Sequence, residues 1–167
     1  MKCVVNIFDV SKLNHEKWSS GNHYSGTNVE IAKLWGAQKL GFHLETLDPG
    51  KFGCPYHKHH KEEELFIAIK GEVTIRQDGE FFRVAEGDLF FFKMDVAHQM
   101  YNHTRNPFIF FALSSVDPEE ICDYPDSNKR MDIKNKTLTQ NGINIEDYWK
   151  DEEDPRKFWP IDILEQK

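Results

Sequence analysis

The chain has 167 residues, of which 39% are hydrophobic and 29% are charged, and its formal net charge is −7. A chain of this length is expected to form one domain that buries a core without disulfide staples. The acidic balance, with no lysine- or arginine-rich block in the sequence, disfavours nucleic acids and anionic membrane surfaces as partners.

The N-terminal segment and the cysteines indicate the cellular compartment. The residues MKCVVNIFDVSK become polar too early for the apolar region of a signal peptide. No segment reaches the roughly 20 apolar residues that a membrane-spanning helix needs. Cys3, Cys54 and Cys122 are odd in number and far apart, which is not the pattern of a disulfide framework. The sequence therefore predicts a cytoplasmic protein.

Short β-like segments separated by turn residues dominate the chain between Leu40 and Leu113. One apolar strand candidate, Val4–Phe8, precedes them. The Asp78-Gly79 pair between EVTIRQ and EFFRVA is a strong β-hairpin signal. Strands at this spacing, with no helical period between them, predict a closed or double-sheet all-β domain, a barrel or jelly roll.

The remaining segments are expected to be arms on this barrel. Residues 1–36 would form an N-terminal arm, 37–115 the barrel, and 116–167 a C-terminal arm that packs through its aromatic residues. Within the last arm, INIEDYWK predicts a short helix capped by Asn144. Strands such as Leu65–Ile69 are apolar on both faces. Their outer face needs a cover, which the arms or a second copy in a homodimer could provide.

The stretch PYHKHHKEEELFIAIKG, Pro55–Gly71, carries a candidate set of metal ligands. His57 and His59 are two residues apart and therefore share one face of a strand. Glu64 shares that face only if the strand breaks in the polar residues His60–Glu63 and a new strand begins at Glu64. His60, the next residue after His59, points the opposite way. If the strand breaks, Glu62 and Glu63 are loop residues that do not bind the metal.

His98 is the fourth candidate ligand. It follows an aromatic strand and a tight turn around Met94–Val96, which would deliver it to a neighbouring strand. Three imidazoles and one carboxylate suit a single divalent transition metal: Fe, Mn, Ni, Co or Zn. An octahedral ion would keep two positions open for a small-molecule substrate, water or oxygen.

Further side chains are candidates for the wall of the same cavity. Candidate substrate-binding residues are Tyr56, Phe66, Lys93 and Met100, of which Lys93 would suit an anionic substrate. His43 could line the cavity or be an ordinary core residue. The sequence shows no paired carboxylates, nucleophile–base set or phosphate-binding loop elsewhere, so any catalysis is expected to depend on the metal.

The stretch Pro55–Gly71 resembles the first motif of the cupin superfamily, G-x5-H-x-H-x3–4-E-x6-G. The match runs from His57 and His59 through Glu64 to Gly71, and the leading glycine is displaced.

The second motif, G-x5-P-x-G-x2-H-x3-N, is matched at Gly87, His98 and Asn102. Lys93 and Asp95 stand in place of its proline and glycine, in the turn before the histidine. Together the two matches cover the chain from Leu40 to Leu113.

This resemblance implies a double-stranded β-helix, the cupin jelly-roll barrel, that often dimerises through its sheets. It also implies the metal ligands His57, His59, Glu64 and His98. The continuation after Phe110 is similar to the tail of single-domain cupins, some of which are sugar-phosphate-isomerase-like.

The sequence is compatible with three functions. The first is a metalloenzyme acting on a small sugar, sugar phosphate or oxoacid by isomerase, epimerase or lyase chemistry. The second is an Fe(II) dioxygenase of the cupin type. The third is a cupin that binds a metal or a small molecule without catalysis.

Overall fold

The computed structural model describes residues 3–9 and 13–166, and nearly all regular structure in this part of the chain is β-strand. The fourteen strands, numbered in chain order, are β1 (Glu16–Ser20), β2 (Tyr24–Val29), β3 (Leu40–Leu47), β4 (Lys58–His59), β5 (Glu64–Lys70), β6 (Glu72–Gln77), β7 (Glu80–Ala85), β8 (Leu89–Phe92), β9 (His98–Tyr101), β10 (Phe108–Ser115), β11 (Ile121–Tyr124), β12 (Lys129–Asp132), β13 (Thr137–Gln140) and β14 (Ile143–Asn144). Helices α1 (Ile31–Trp35) and α2 (Ile161–Leu164) and a 3₁₀ turn at Pro155–Phe158 are short. Among the described helices, none has the length and apolar character that a membrane crossing requires.

Two antiparallel sheets form the barrel. The larger has the strand order β1-β2-β3-β10-β5-β8, and the smaller has the order β7-β6-β9. Their inner faces share one core, to which the larger sheet contributes Phe66 and Phe110 and the smaller contributes Ile75 and Met100. The sequence prediction of an all-β double-stranded β-helix is confirmed.

Local signals set the register of the strands. Asp78 and Gly79 have φ angles of 47° and 86°, as the tight β6–β7 hairpin requires, and the two strands pair along their whole length. On β10, Phe108, Phe110 and Ala112 alternate inward. Alternate residues of a strand point to opposite faces, so this register fixes which side chains of β3 and β5 enter the barrel.

The predicted strand at Val4–Phe8 is wrong. These residues form a turn in which the Asn6 side chain accepts a hydrogen bond from the backbone N–H of Phe8, at 3.0 Å. The backbone N–H of Asp9 then bonds to the Asn6 carbonyl, at 3.1 Å. An asparagine that bonds the backbone two residues on bends the chain and competes with strand pairing.

The predicted helix in INIEDYWK is also wrong, because Ile143–Asn144 is strand β14. Asn141 and Gly142, with φ angles of 50° and 77°, make the two-residue turn that returns the chain against β13. Strands β11 to β14 form a third antiparallel sheet that joins the barrel region through β4, in the order β14-β13-β12-β11-β4.

Candidate metal centre

His57 and His98 face each other directly. Their backbones form an isolated antiparallel bridge, with N–H to carbonyl distances of 3.1 Å and 2.8 Å. Residues paired in this way project side chains on the same face, and the two rings lie 4.5 Å apart between centroids. Both side chains are buried. The bridge therefore brings two candidate ligands together by backbone geometry.

Backbone carbonyls fix the tautomer of both rings. Nδ1 of His57 lies 2.8 Å from the Pro55 carbonyl, and Nδ1 of His98 lies 3.1 Å from the Val96 carbonyl. A carbonyl only accepts, so Nδ1 carries the proton and a neutral ring keeps a lone pair on Nε2. Burial and the nearby imidazoles of His98 and His59 lower the pKa of His57 to about 3, so this ring is neutral.

Glu64 places a carboxylate between these rings. It is the first residue of β5, as the strand-break prediction required, and one ligand atom from each of His57, Glu64 and His98 lies within 4.8 Å of the others. Burial raises the pKa of Glu64, but the close contact of His98 and the neighbouring imidazoles outweigh it and lower the pKa to about 2. The group is therefore an anion in a buried position.

One carboxylate oxygen of Glu64 lacks a hydrogen bond. Its Oε2 lies 2.8 Å from Nε2 of His98 and is buried without a hydrogen-bond partner among the described residues. A buried carboxylate oxygen that accepts no hydrogen bond is costly unless a cation binds it. The donor set fits a divalent transition metal.

His59 lies beside this group but is turned partly away. Its Nε2 is 3.7 Å from Oε2 of Glu64, while its Nδ1 is 3.4 Å from Oε1 of Glu120. A second set of ligand atoms within 4.8 Å consists of His59, Glu62 and Glu120. A third set joins His59 with His57 and Cys122, so His59 belongs to two sets, while His57, Glu64 and His98 form a set without it.

Glu120 holds the break between β4 and β5 and was not found from the sequence. It is buried, and its two oxygens accept the backbone N–H groups of His60 and Lys61, both at 2.9 Å. These bonds satisfy the donors that the broken strand exposes. Glu120 lies 56 residues beyond Glu64, and no local signal in the sequence connects it with this loop.

The other polar residues of the loop do not belong to the group formed by His57, Glu64 and His98. His60 directs Nε2 to Asp123 at 2.8 Å, and Glu63 is exposed. Glu62 accepts the backbone N–H of Asp117 at 2.9 Å, and its other oxygen lies 4.0 Å from Nδ1 of His59. Glu62 is thus closer to the histidines than a free loop residue would be.

Asp95 preserves the turn before His98. Its φ angle is 64°, in the left-handed region, and its N–H bonds to the carbonyl of His59 at 2.7 Å. Aspartate is one of the residues that tolerate this conformation, so it can replace the glycine of the motif. The Phe92 ring then stacks flat on the His98 ring, with centroids 3.8 Å apart, and holds its orientation.

A cavity of about 170 Å³ opens at these residues. Its walls are formed by His43, Glu45, Gly53, Cys54, His57, Glu64, Phe66, His98, Met100 and Phe110. It is smaller than the roughly 300–1,000 Å³ of pockets for drug-sized ligands, so it suits a small molecule or one end of a larger one.

The candidate substrate-binding residues divide into two pairs. Phe66 and Met100 are in the cavity wall, whereas Tyr56 and Lys93 are not. The guanidinium carbon of Arg76 lies over the ring of Tyr56, 3.7 Å from the centroid of that ring. Lys93 is exposed on the turn before His98. Among the described residues, no lysine or arginine lines the cavity.

Comparison with known proteins identifies the domain. Residues 43–114 match the family model described as the cupin domain. No curated protein matches the chain. One similar solved structure, from Acidithiobacillus ferrooxidans, is provisionally described as a sugar phosphate isomerase; it is 22% identical, covers 86% of this chain and 90% of that chain, and has a TM-score of 0.70.

Two further structures are similar. A sugar phosphate isomerase from a cupin superfamily of Silicibacter pomeroyi is 20% identical over 83% of this chain and 95% of that chain, with a TM-score of 0.70. A predicted oxalate decarboxylase from Thermotoga maritima is 20% identical over 64% of this chain and 96% of that chain, with a TM-score of 0.56. Residues 43–114 are therefore a cupin domain, and the chain has the cupin fold.

Proposed function

We propose that this cupin is a metal-dependent enzyme that acts on a small sugar, sugar phosphate or oxoacid by isomerase, epimerase or lyase chemistry. The observation that carries the proposal is the buried Oε2 of Glu64, which lies 2.8 Å from Nε2 of His98 and has no hydrogen-bond partner among the described residues. We propose that His57, His59, Glu64 and His98 hold one divalent transition metal: Fe, Mn, Ni, Co or Zn.

A divalent ion in this position supplies Lewis-acid polarisation of a carbonyl. In their neutral forms, His57 and His98 each leave the lone pair of Nε2 free, because each Nδ1 donates to a backbone carbonyl. The small cavity limits the water around the reacting group. Since no lysine or arginine of the described residues lines the cavity, we expect the uncharged hydroxy-carbonyl end of the substrate to bind inside and any phosphate group to remain outside. Two of the similar structures are described as sugar phosphate isomerases, which supports this reaction class.

Elemental analysis combined with a substrate screen tests the proposal. We expect protein purified without added metal to contain one transition metal per chain. The double substitution His57→Ala and His98→Ala should remove both the metal and the turnover of sugars and oxoacids. His60→Ala is the matched control, because this ring points to Asp123.

Three results would contradict the proposal. If the double variant lost its metal but kept wild-type turnover, metal catalysis would be excluded. Bound iron with substrate-dependent oxygen uptake would establish the dioxygenase alternative. A fully loaded protein that turned over no member of the panel would support a binding protein.

We also propose that the chain forms a homodimer through the outer face of β5 and β8. Leu89 and Phe91 on β8 are 61% and 48% exposed and lie opposite Ile67 and Leu65 on β5. Strand β8 is an edge of its sheet, and an exposed apolar edge strand is prone to pair with another chain.

Light scattering should give a dimer mass for the wild type and a monomer mass for the double substitution of Leu89 and Phe91 by lysine. A monomeric wild type would contradict this proposal, and Ile143→Lys, at another exposed apolar residue, is the control.

A further inference from the structure

His43 and Glu45 form a polar pair on the inner face of β3. Nε2 of His43 lies 3.1 Å from Oε2 of Glu45, and both residues line the cavity. In the register with β10, His43 is opposite Ala112 and Glu45 is opposite Phe110, both of which belong to the barrel core. The pair therefore points into the barrel, on the face that also carries the candidate metal ligand Glu64 of β5.

This position is costly for a carboxylate. The Glu45 side chain is only 16% exposed, and among the described residues its only hydrogen bond or ion pair is with His43. Burying an ionised group beside phenylalanines costs free energy that an apolar residue would not. Polar pairs kept in a cavity despite that cost are concentrated at functional sites.

The contact with Glu45 determines which nitrogen of His43 is free. The carboxylate accepts from Nε2, so Nδ1 of a neutral His43 keeps its lone pair. No group of the described residues bonds to Nδ1, and the side chain is 32% exposed. Burial lowers the pKa of His43, but the hydrogen bond and charge of Glu45 raise it by more. Glu45 therefore stabilises the protonated ring that forms when Nδ1 accepts a proton.

We propose that His43 is the catalytic base of this site, that Glu45 positions it, and that the substrates are α-hydroxy carbonyl compounds. This inference rests on the proposed function, since the metal site supplies the activation of the carbonyl. The pair belongs to none of the three sets of candidate ligands among the described residues, so it is free for proton transfer.

The proton-transfer step balances without another reactant. Nδ1 of His43 takes the proton from the carbon next to the substrate carbonyl. The C–H electron pair becomes a carbon–carbon π bond, and the carbonyl π electrons move to the oxygen. Return of a proton to the same carbon gives exchange or epimerisation. Return to the neighbouring carbon, with the hydroxyl proton moved between the two oxygens, gives the isomer.

Hydrogen exchange measures this step directly. Dihydroxyacetone, whose size suits the cavity, is incubated in D₂O with protein loaded with one equivalent of Zn(II), and loss of its C–H signals is followed by NMR. We expect exchange by the wild type and a loss of at least about 100-fold in His43→Asn, with an unchanged zinc content. Glu45→Gln should lose roughly tenfold. The control His23→Asn removes a histidine that contacts Asp154 outside the cavity, and it should exchange like the wild type.

A second measurement needs no turnover. Nitrogen-15 NMR of the wild type, metal-free and zinc-loaded, should show the His43 proton on Nε2; a proton on Nδ1 would overturn the proposal. Wild-type exchange by zinc-loaded His43→Asn would overturn it too, while leaving the proposed function intact. If zinc-loaded wild-type protein exchanged no protons, the role assigned to His43 would be wrong, whereas the proposed function is decided by the substrate screen and metal analysis above.

Discussion

Replacing Glu120 with alanine should weaken both the fold and the metal site. The substitution removes the carboxylate that accepts the backbone N–H groups of His60 and Lys61 at the break between β4 and β5. The His60 N–H keeps a second acceptor, the Ile121 carbonyl at 3.0 Å, whereas the Lys61 N–H loses its bond. A hydrogen bond to a charged group contributes about 1.5–3 kcal/mol, so one such bond gives an expected loss of about 2 kcal/mol. For a protein of this size that corresponds to a fall in Tm of about 4–8 °C.

Thermal unfolding of the metal-free protein, followed by circular dichroism, measures this loss. Zinc titration of the same variant should show an affinity lower by about 10–100-fold, because Glu120 also contacts the ring of His59. The matched control is Glu119→Ala, one residue earlier and exposed, which should leave both values unchanged. If Glu120→Ala unfolded at the wild-type temperature and bound zinc normally, the role assigned to Glu120 would be wrong.

Two further predictions test other parts of the structure. Gly71 and Gly79 have similar φ angles of 90° and 86°. A Cβ atom added at Gly71 would lie 2.9 Å from the Pro107 carbonyl oxygen, whereas a Cβ atom added at Gly79 would have no described atom within 4 Å. In denaturant unfolding, Gly71→Ala should therefore cost about 1–3 kcal/mol more than Gly79→Ala, and equal losses would contradict this packing. Hydrogen bonds from Arg130 lower the pKa of Asp123 to about 2, so its ionised form stabilises the fold above pH ~4, and this contribution is lost as the pH falls through ~2. Asp123→Asn should be less stable by about 1–2 kcal/mol at pH 6, with the difference shrinking between pH 4 and 2; a constant difference over that range would refute the assignment.

Local sequence patterns predicted the elements that carry the candidate ligands. The period of two along a strand indicated a shared face for His57 and His59, and the polar run after them indicated the break that ends at Glu64. The structure begins β5 at Glu64 and pairs His57 with His98. These features depend on a few neighbouring residues, and Asp95 keeps the turn before His98 although the glycine of the motif is absent.

Other features depend on contacts between distant segments, which a single sequence does not reveal. Strand parity placed His43 and Glu45 on one face of β3 but could not say which face is inside. Both faces of that strand carry a fully buried leucine, Leu44 on one and Leu47 on the other. The role of Glu120 arises only when β11 pairs with β4. For the same reason the C-terminal sheet was missed, although the Asn-Gly turn before Ile143 is a local hairpin signal.

Anomalous diffraction from crystals of the zinc-loaded protein tests the metal centre most directly. We predict one strong peak per chain, about 2.0–2.2 Å from Nε2 of His57, Nε2 of His98 and the Glu64 carboxylate, with His59 rotated to join them. A peak bound instead by His59 and Glu120, with Glu64 unligated, would contradict the account.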